Sequence, residues 1–175
     1  IYMLLKYNIN QFSEKQLIKD YIENGFVLVE DIISISENIE IKNELIKINR
    51  GDYECNEIKT THQTLSGKSL MSRYMYIGQP HVLSKIIHSF IIHENITKIL
   101  DRIVGVNVPF WDGSYKCVQT MFVTKKPGGN GSPWHQDEHP IPTRDRSLVG
   151  VWLALEDTTV ENSCLWYIPN SHKKG

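Results

Sequence analysis

The sequence lacks an excess of positive charge and lacks any long apolar run. Its 175 residues carry 19 Lys and Arg against 20 Asp and Glu, which leaves a net charge of -1. A general nucleic-acid binder is not expected, because no basic field is available to attract phosphates. The longest apolar run, residues 149–155, is strand-sized and far short of the ~20 residues that a membrane span requires. The sequence therefore predicts a soluble protein without a membrane or nucleic-acid partner.

Cysteine is also scarce, and no secretory signal is visible. The three cysteines, Cys55, Cys117 and Cys164, are widely and irregularly spaced. An odd number at such spacing favours reduced thiols over a disulfide framework or a zinc site. The opening IYMLLKYNIN contains a Lys and no small-residue cleavage site, and its first residue is Ile rather than Met, which suggests that the natural start is missing. These features predict a cytoplasmic protein.

The chain is long enough for one sizeable core. With 41% hydrophobic residues, a single domain over residues 1–175 is expected. Helical patterns dominate residues 1–105, and strand patterns dominate residues 106–175. This order predicts an α+β fold with its helices first.

Three helices are predicted in the first part. Ser13 and Gln16 form a capping-box pattern, and Gly25 is placed to end the helix that follows. Residues 36–50 form a second apolar pattern. The clearest signal is the third, because Ile96, Ile99, Leu100 and Ile103 recur at helical spacing before Gly105. The apolar positions assigned to the second helix include Ile39, Leu45 and Ile46.

Strands are predicted at residues 26–30, 115–124, 148–156 and 164–168, where β-branched and aromatic residues concentrate. The third of these has two distinct faces. One face carries Val149, Val151, Leu153 and Leu155, and the other carries Gly150, Trp152 and Ala154. Small residues beside a single Trp indicate a face that borders a cavity.

A His-x-Asp motif follows a glycine-rich loop. His135 and Asp137 stand two residues apart, so on an extended chain both side chains project from one face, about 6.6 Å apart along the backbone. An imidazole and a carboxylate are two of the three ligands in the facial triad that holds non-haem Fe(II). By itself the triplet is also compatible with an ordinary surface His and Asp.

The region from Lys125 to Gly175 closely resembles the phytanoyl-CoA dioxygenase family of Fe(II)- and 2-oxoglutarate-dependent oxygenases. The matching features are Lys-Pro at a strand end, Trp-His-Gln-Asp, a Trp-containing strand, Asp-x-x-x-x-Glu-Asn-x-Cys-Leu, and Ile-Pro-x-Ser-His-Lys. The earlier part fits more loosely. The resemblance implies a double-stranded β-helix, also called a jelly roll or cupin-like fold, flanked by N-terminal helices.

The resemblance also implies a set of site residues. His135 and Asp137 match the first two iron ligands, and Trp152 matches a residue that borders 2-oxoglutarate. Gln119 and Met121 fall where family members line the cosubstrate pocket, and Arg73 lies near a position that supplies a cation to it. The alternatives are a core aromatic for Trp152, plain strand packing for Gln119 and Met121, and a solvated surface side chain for Arg73.

Two departures from the family pattern stand out. Ser163 and Asn170 occupy positions where relatives commonly have Gly, and Ser adopts a positive φ less readily than Asn. In the family, a third ligand, a His, and the Arg that grips 2-oxoglutarate come from strands that would follow Gly175. The sequence is therefore interpreted as a fragment whose jelly roll is truncated at its C-terminus, inactive as given.

The resemblance implies an enzyme that hydroxylates a small organic substrate with Fe(II), 2-oxoglutarate and O2, with ascorbate as a candidate reductant. Asp137 favours hydroxylation, because halogenating relatives vacate the carboxylate ligand. One alternative is a non-catalytic protein of the same fold that binds a metal or a metabolite. Another is a cupin-like metalloenzyme that combines His135 with His139 and needs no keto acid. The oligomeric state is left open.

Overall fold

The computed structural model describes residues 6–50, 52–53, 76–106, 108–125, 132–145 and 147–174. Arg73 and Cys55 lie outside these ranges. The described chain combines helices and short strands, in agreement with the mixed character predicted from the sequence. The elements in chain order are β1 (Lys6–Asn8), α1 (Glu14–Asn24), β2 (Leu28–Glu30), α2 (Ile35–Arg50), β3 (Tyr76–Gly78), α3 (Pro80–Leu83), α4 (Lys85–Ile91), α5 (Glu94–Ile103), β4 (Met121–Val123) and a 3-10 turn (Ser171–Lys173).

Two small sheets join distant parts of the chain. β1 pairs with β2 in parallel, with Tyr7 opposite Val29. β3 pairs with β4 in antiparallel fashion, with Ile77 opposite Phe122. The described residues form no closed barrel, because each sheet contains only two strands.

The predicted helices form because each one closes its own hydrogen bonds and has a capped end. Ser13 Oγ accepts a hydrogen bond from the Gln16 amide, and Gly25 ends α1 in the left-handed conformation at φ 84°. The capping box is only half formed, since the Gln16 side chain instead donates to Asp20 at 2.9 Å. α5 spans the predicted apolar pattern and buries Ile99 and Ile103.

The second helix differs from its prediction at its start and on its buried face. It begins at Ile35, one residue earlier, because Ser34 and Glu37 exchange hydrogen bonds across the first turn. Leu45 is buried as expected, but Ile39 is 54% exposed. The helix instead buries Ile41 and Ile48, which lie on the face turned toward α4.

Among the described residues, two apolar clusters form the core. The first contains Ile9, Leu17, Ile99 and Ile103, and the second contains Ile41, Leu45, Ile48 and Ile87. Residues 149–155 contact both, since Val149 packs on the first cluster and Leu153 and Leu155 pack on the second. This segment therefore has a fixed position relative to the helices, although it forms no strand.

All four strand predictions were too long or wrong. The strand at residues 26–30 shortens to β2, and the one at 115–124 shortens to β4; residues 148–156 and 164–168 form no strand. A strand exists only where a neighbour accepts and donates its hydrogen bonds, whereas a helix needs no partner. The predicted alternation at 148–156 persists in part, because Leu153 and Leu155 are half-buried while Val151 is exposed.

None of the helices in the described ranges combines the length and the apolar character needed to cross a membrane.

Candidate metal centre

His135 and Asp137 converge in the structure. The distance from His135 Nε2 to Asp137 Oδ1 is 3.4 Å, and the two side chains are 54% and 61% exposed. They lie on an irregular loop that turns at residues 137–140, so the predicted shared strand face is not what brings them together. The turn is closed by the Ile141 amide, which donates to the Asp137 carbonyl at 3.1 Å.

The backbone fixes which nitrogen of His135 is free. His135 Nδ1 lies 2.7 Å from the carbonyl oxygen of Pro133. A carbonyl only accepts, so Nδ1 carries the proton and donates it, which leaves the lone pair on Nε2. Nε2 is the atom that faces Asp137. Ligand histidines in metal sites commonly have this second hydrogen bond to a carbonyl.

The separation of the two donor atoms suits a shared cation. Two donors about 2.1 Å from one first-row divalent cation lie about 3.0 Å apart at a right angle and about 3.4 Å apart at a tetrahedral angle. The observed 3.4 Å falls within this geometry. The pair therefore fits two adjacent coordination positions of one metal ion. Without a metal, the two side chains form an ion pair whenever His135 is protonated.

Gly150 closes one side of the pair. A Cβ built on Gly150 would lie 3.3 Å from Asp137 Oδ2. Gly150, which belongs to the face of residues 148–156 that was predicted to border a cavity, thus lies against the carboxylate. Its contact with Asp137 was not predicted from the sequence.

Gln136, between the two candidate ligands, was not singled out from the sequence. Its Nε2 donates to the carbonyl of Ser171 at 3.0 Å, a contact across 35 residues. The sequence signal that could have identified Gln136 is its position as a polar residue between two candidate ligands. Nothing in the local pattern identifies a backbone carbonyl as its partner.

An open cleft of about 450 Å³ lies beside His135. It is framed mainly by aromatic and imidazole groups, with two polar residues at its edge. The lining residues are Trp134, His135, Gln136, His139, Trp166, Tyr167, Ile168 and Ser171.

The other predicted site residues lie in less defined surroundings. Trp152 is 52% exposed and Met121 is 50% exposed, and Gln119 is exposed as well. The structure brings none of the three into an enclosed pocket within the described ranges. Their roles toward 2-oxoglutarate stay predictions, and Arg73 cannot be placed because it lies outside the described residues.

Two other histidines, His81 and His93, and the loop after the motif have local partners. His81 Nδ1 lies 2.6 Å from Thr120 Oγ1, and His93 Nε2 lies 3.1 Å from Glu37. In the loop, the hydroxyl of Ser147 holds the pKa of Asp145 below its usual value, and Glu138 accepts two hydrogen bonds from Thr143. Across the part of the chain that the structure describes, no group of three or more His, Cys, Asp or Glu side chains is placed to hold a metal ion.

Comparison with known proteins connects this loop to one enzyme family. The family model described as phytanoyl-CoA dioxygenase (PhyH) matches residues 21–175. A phytanoyl-CoA dioxygenase of Arabidopsis thaliana is 48% identical over 59 residues, which are 33% of this chain and 21% of that protein. The mouse phytanoyl-CoA dioxygenase domain-containing protein 1 is 40% identical over 88 residues, 49% of this chain and 28% of that protein.

A longer match extends over most of the chain. The peroxisomal phytanoyl-CoA dioxygenase of Bos taurus is 26% identical over 168 residues, which cover 89% of this chain and 46% of that protein. The chain thus spans less than half the length of the curated relatives described here. No solved structure gives a significant match. Because the family model covers most of the sequence, the chain belongs to the phytanoyl-CoA dioxygenase family, whose members are dioxygenases.

Proposed function

We propose that this protein is an Fe(II)- and 2-oxoglutarate-dependent oxygenase that hydroxylates a small organic substrate. The observation that carries the proposal is the pair formed by His135 Nε2 and Asp137 Oδ1, 3.4 Å apart. Family membership supports dioxygenase chemistry, and the pair supplies two ligands of the kind that hold non-haem iron. When bound, iron together with 2-oxoglutarate would supply the activation of O2.

The residues of the chain hold and shape that site. The Pro133 carbonyl accepts a hydrogen bond from His135 Nδ1–H and so keeps Nε2 available for a cation. Gly150 leaves room for the Asp137 carboxylate to turn toward the same point. Trp134 and Trp166 line the neighbouring open cleft, where they would offer apolar surface to a bound substrate.

The fold in this proposal is the family's jelly roll in a single domain. A third protein ligand is also required, and the described residues do not place one beside the pair. Trp152, Gln119, Met121 and Arg73 would line the cosubstrate pocket. Asp137 favours hydroxylation over halogenation, because this chain retains the carboxylate ligand that halogenating relatives vacate.

A second candidate function is metal or metabolite binding without catalysis. It is favoured by the exposure of both candidate ligands, 54% and 61%, since oxygenase chemistry works best where water is excluded. Succinate formation separates the two functions. The oxygenase releases succinate from 2-oxoglutarate in the presence of iron and O2, whereas a binding protein releases none.

The metal assignment is tested by anaerobic titration of the full-length protein with Co(II), followed by visible absorption. Wild type is expected to bind one Co(II), and the His135→Ala, Asp137→Ala double variant is expected to lose at least tenfold in affinity, because both proposed donors are removed. His139→Ala is the matched control, since it lines the same cleft but is not a ligand in this proposal.

Equal Co(II) affinity in wild type and in the double variant would refute the assignment. The cupin-like alternative would instead be supported by two results together. His139→Ala would lose Co(II) binding, and the wild type would turn over without any keto acid.

A further inference from the structure

The Ser-His-Lys segment near residue 172 touches the first helix. His172 Nε2 lies 3.0 Å from the carbonyl oxygen of Ile22, which is in the last turn of α1. Because a carbonyl only accepts, Nε2 donates. The last four carbonyls of a helix have no partner within the helix, so His172 satisfies one that would otherwise need water.

Two further contacts hold this segment against the end of α1. The Tyr167 and Phe26 rings are 3.8 Å apart between centroids. The His172 ring also covers Gly25, because a Cβ built on that glycine would lie 2.3 Å from His172 Nδ1. Any side chain at position 25 would therefore displace the imidazole.

The same segment is joined to the candidate metal loop one residue earlier. Gln136 Nε2 donates to the Ser171 carbonyl at 3.0 Å. Ser171 and His172 are consecutive residues of one 3-10 turn, which begins after Asn170 in the left-handed conformation. A continuous path of contacts therefore runs from the end of α1 through His172 and Ser171 to Gln136, which stands between His135 and Asp137.

We propose that His172 and Gln136 form a clasp that positions the His135–Asp137 pair by tying its loop to the end of α1. His172 and Gln136 are positioning residues in this account, because neither contributes a proposed ligand atom. The proposal rests on the proposed metal site for its effect on affinity, but the clasp itself is defined by contacts that do not involve a metal.

The clasp can be opened at three points. His172→Phe keeps a ring and removes the donor, Gln136→Met keeps the length and removes the donor, and Gly25→Ala pushes the His172 ring away. His172→Gln restores an N–H donor and serves as the conservative rescue.

The chain offers a matched control for Gly25. Gly113 has nearly the same φ, 87° against 84°, and a Cβ built on it meets nothing within 4 Å. Gly113→Ala therefore carries a similar backbone penalty without disturbing the clasp. Any effect of Gly25→Ala beyond that of Gly113→Ala arises from the contact with His172.

The experiment has two arms on the full-length protein. The first is Co(II) titration, in which His172→Phe, Gln136→Met and Gly25→Ala are expected to raise the dissociation constant by about 10- to 100-fold, the range for lost outer-sphere contacts. His172→Gln and Gly113→Ala are expected to stay within about threefold of wild type on the same scale. The second arm is hydrogen exchange of the backbone amides of residues 134–137 in metal-free protein, where the three opening variants are expected to exchange faster.

Unchanged Co(II) affinity and unchanged exchange in the opening variants would overturn the clasp, even if their melting temperatures fall. Failure of the His172→Gln rescue, with exchange as fast as in His172→Phe, would also count against it. If wild type binds no Co(II), the metal proposal fails, and the exchange arm alone then decides whether the clasp holds the loop.

Discussion

At the scale of single residues, the candidate site depends on what stands beside its two ligands. The two-residue spacing of His135 and Asp137 predicted that they meet, but on a shared strand face rather than on the irregular loop that brings them together. The spacing did not predict the Pro133 carbonyl that orients the imidazole, or the approach of Gly150 to Asp137. Both contacts depend on the path of the backbone. Sequence patterns indicate which side chains share a face, but they do not indicate where a carbonyl points.

Gly150 gives the first residue-level prediction. In Gly150→Ala the new Cβ would lie 3.3 Å from Asp137 Oδ2, closer than an ordinary contact, so the carboxylate must shift by a few tenths of an ångström and its alignment with His135 is disturbed. We expect about a tenfold loss of Co(II) affinity, the lower end of the range for disturbed outer-sphere contacts. Gly78→Ala is the control, because its Cβ would meet nothing within 4 Å. Equal affinity in both variants would show that Asp137 does not depend on the space at position 150.

The second residue-level prediction concerns Ser163. It adopts φ 67°, in a turn where Asn162 Nδ2 donates to the Asp157 carbonyl and Asn162 Oδ1 accepts from the Thr159 amide. The family resemblance led us to expect Gly at this position. A left-handed non-glycine residue costs roughly 1 kcal/mol or more, partly offset by the backbone freedom that glycine loses on folding. Ser163→Gly is therefore expected to raise the free energy of unfolding by about 0.5 to 1 kcal/mol in urea melts.

Asn170→Gly is the comparison for that measurement. Asn170 also has a positive φ, 62°, but Asn tolerates this conformation better than Ser. A gain at position 170 as large as the gain at 163 would show that the residue type at the turn does not matter.

At the scale of elements, α1, α2 and α5 were predicted from the sequence, α3 and α4 were not, and strands were predicted poorly, for a physical reason. The pattern of α5 lies within ten residues, and the ends of α1 are fixed by Ser13 and Gly25. The strand patterns at 148–156 and 164–168 describe side chains suited to a sheet, but they cannot specify a hydrogen-bonding neighbour. The start of α2 was predicted one residue too late, although its signal is local. Ser34 and Glu37 form a capping box, but it lies one turn before the apolar pattern on which the prediction was based.

That cap predicts a pH dependence. Glu37 accepts hydrogen bonds from the Ser34 amide, the Ser34 hydroxyl and His93, and in that order they lower its pKa from 4.5 to about 2. A carboxyl whose pKa is depressed by folding adds stability above its unfolded pKa, and this stability is lost as the pH falls toward the folded pKa. Glu37→Gln should therefore lower the urea midpoint at pH 6, and the gap from wild type should close between about pH 4.5 and pH 2.

Glu40→Gln is the control for the cap, because Glu40 is exposed on the same helix. Its urea midpoint is expected to follow wild type across this pH range. A constant gap between Glu37→Gln and wild type at every pH would mean that the carboxylate charge is not what stabilises the cap.

At the scale of the whole molecule, the site is supported by both apolar clusters. Val149 packs on the cluster around Leu17, and Leu153 and Leu155 pack on the cluster around Leu45. Gly150, which lies against Asp137, is part of the segment that these packed side chains hold in place. The helical part and the candidate metal loop are thus connected through packing here and through His172 at the end of α1.

This connection predicts cooperative unfolding, which two optical signals can report separately. All five α-helices of the described ranges end by Ile103, while the four tryptophans, Trp111, Trp134, Trp152 and Trp166, all lie later. Far-ultraviolet circular dichroism therefore follows the first part, and tryptophan fluorescence follows the second. In wild type the two urea transitions are expected to coincide, because a single cooperative unit unfolds.

The Leu153→Ala, Leu155→Ala double variant should break that coincidence. Removing half-buried leucines costs less than the ~2 to 5 kcal/mol of a fully buried one, but here both losses fall on the segment that joins the two parts. The fluorescence midpoint is expected to move to lower urea than the dichroism midpoint, since the helices keep their own cores. Val160→Ala, which truncates a side chain that is 65% exposed, should leave both midpoints in place. Separate transitions already present in the wild type would show that the helical part and the candidate metal loop fold independently, so that neither the 149–155 segment nor His172 couples them.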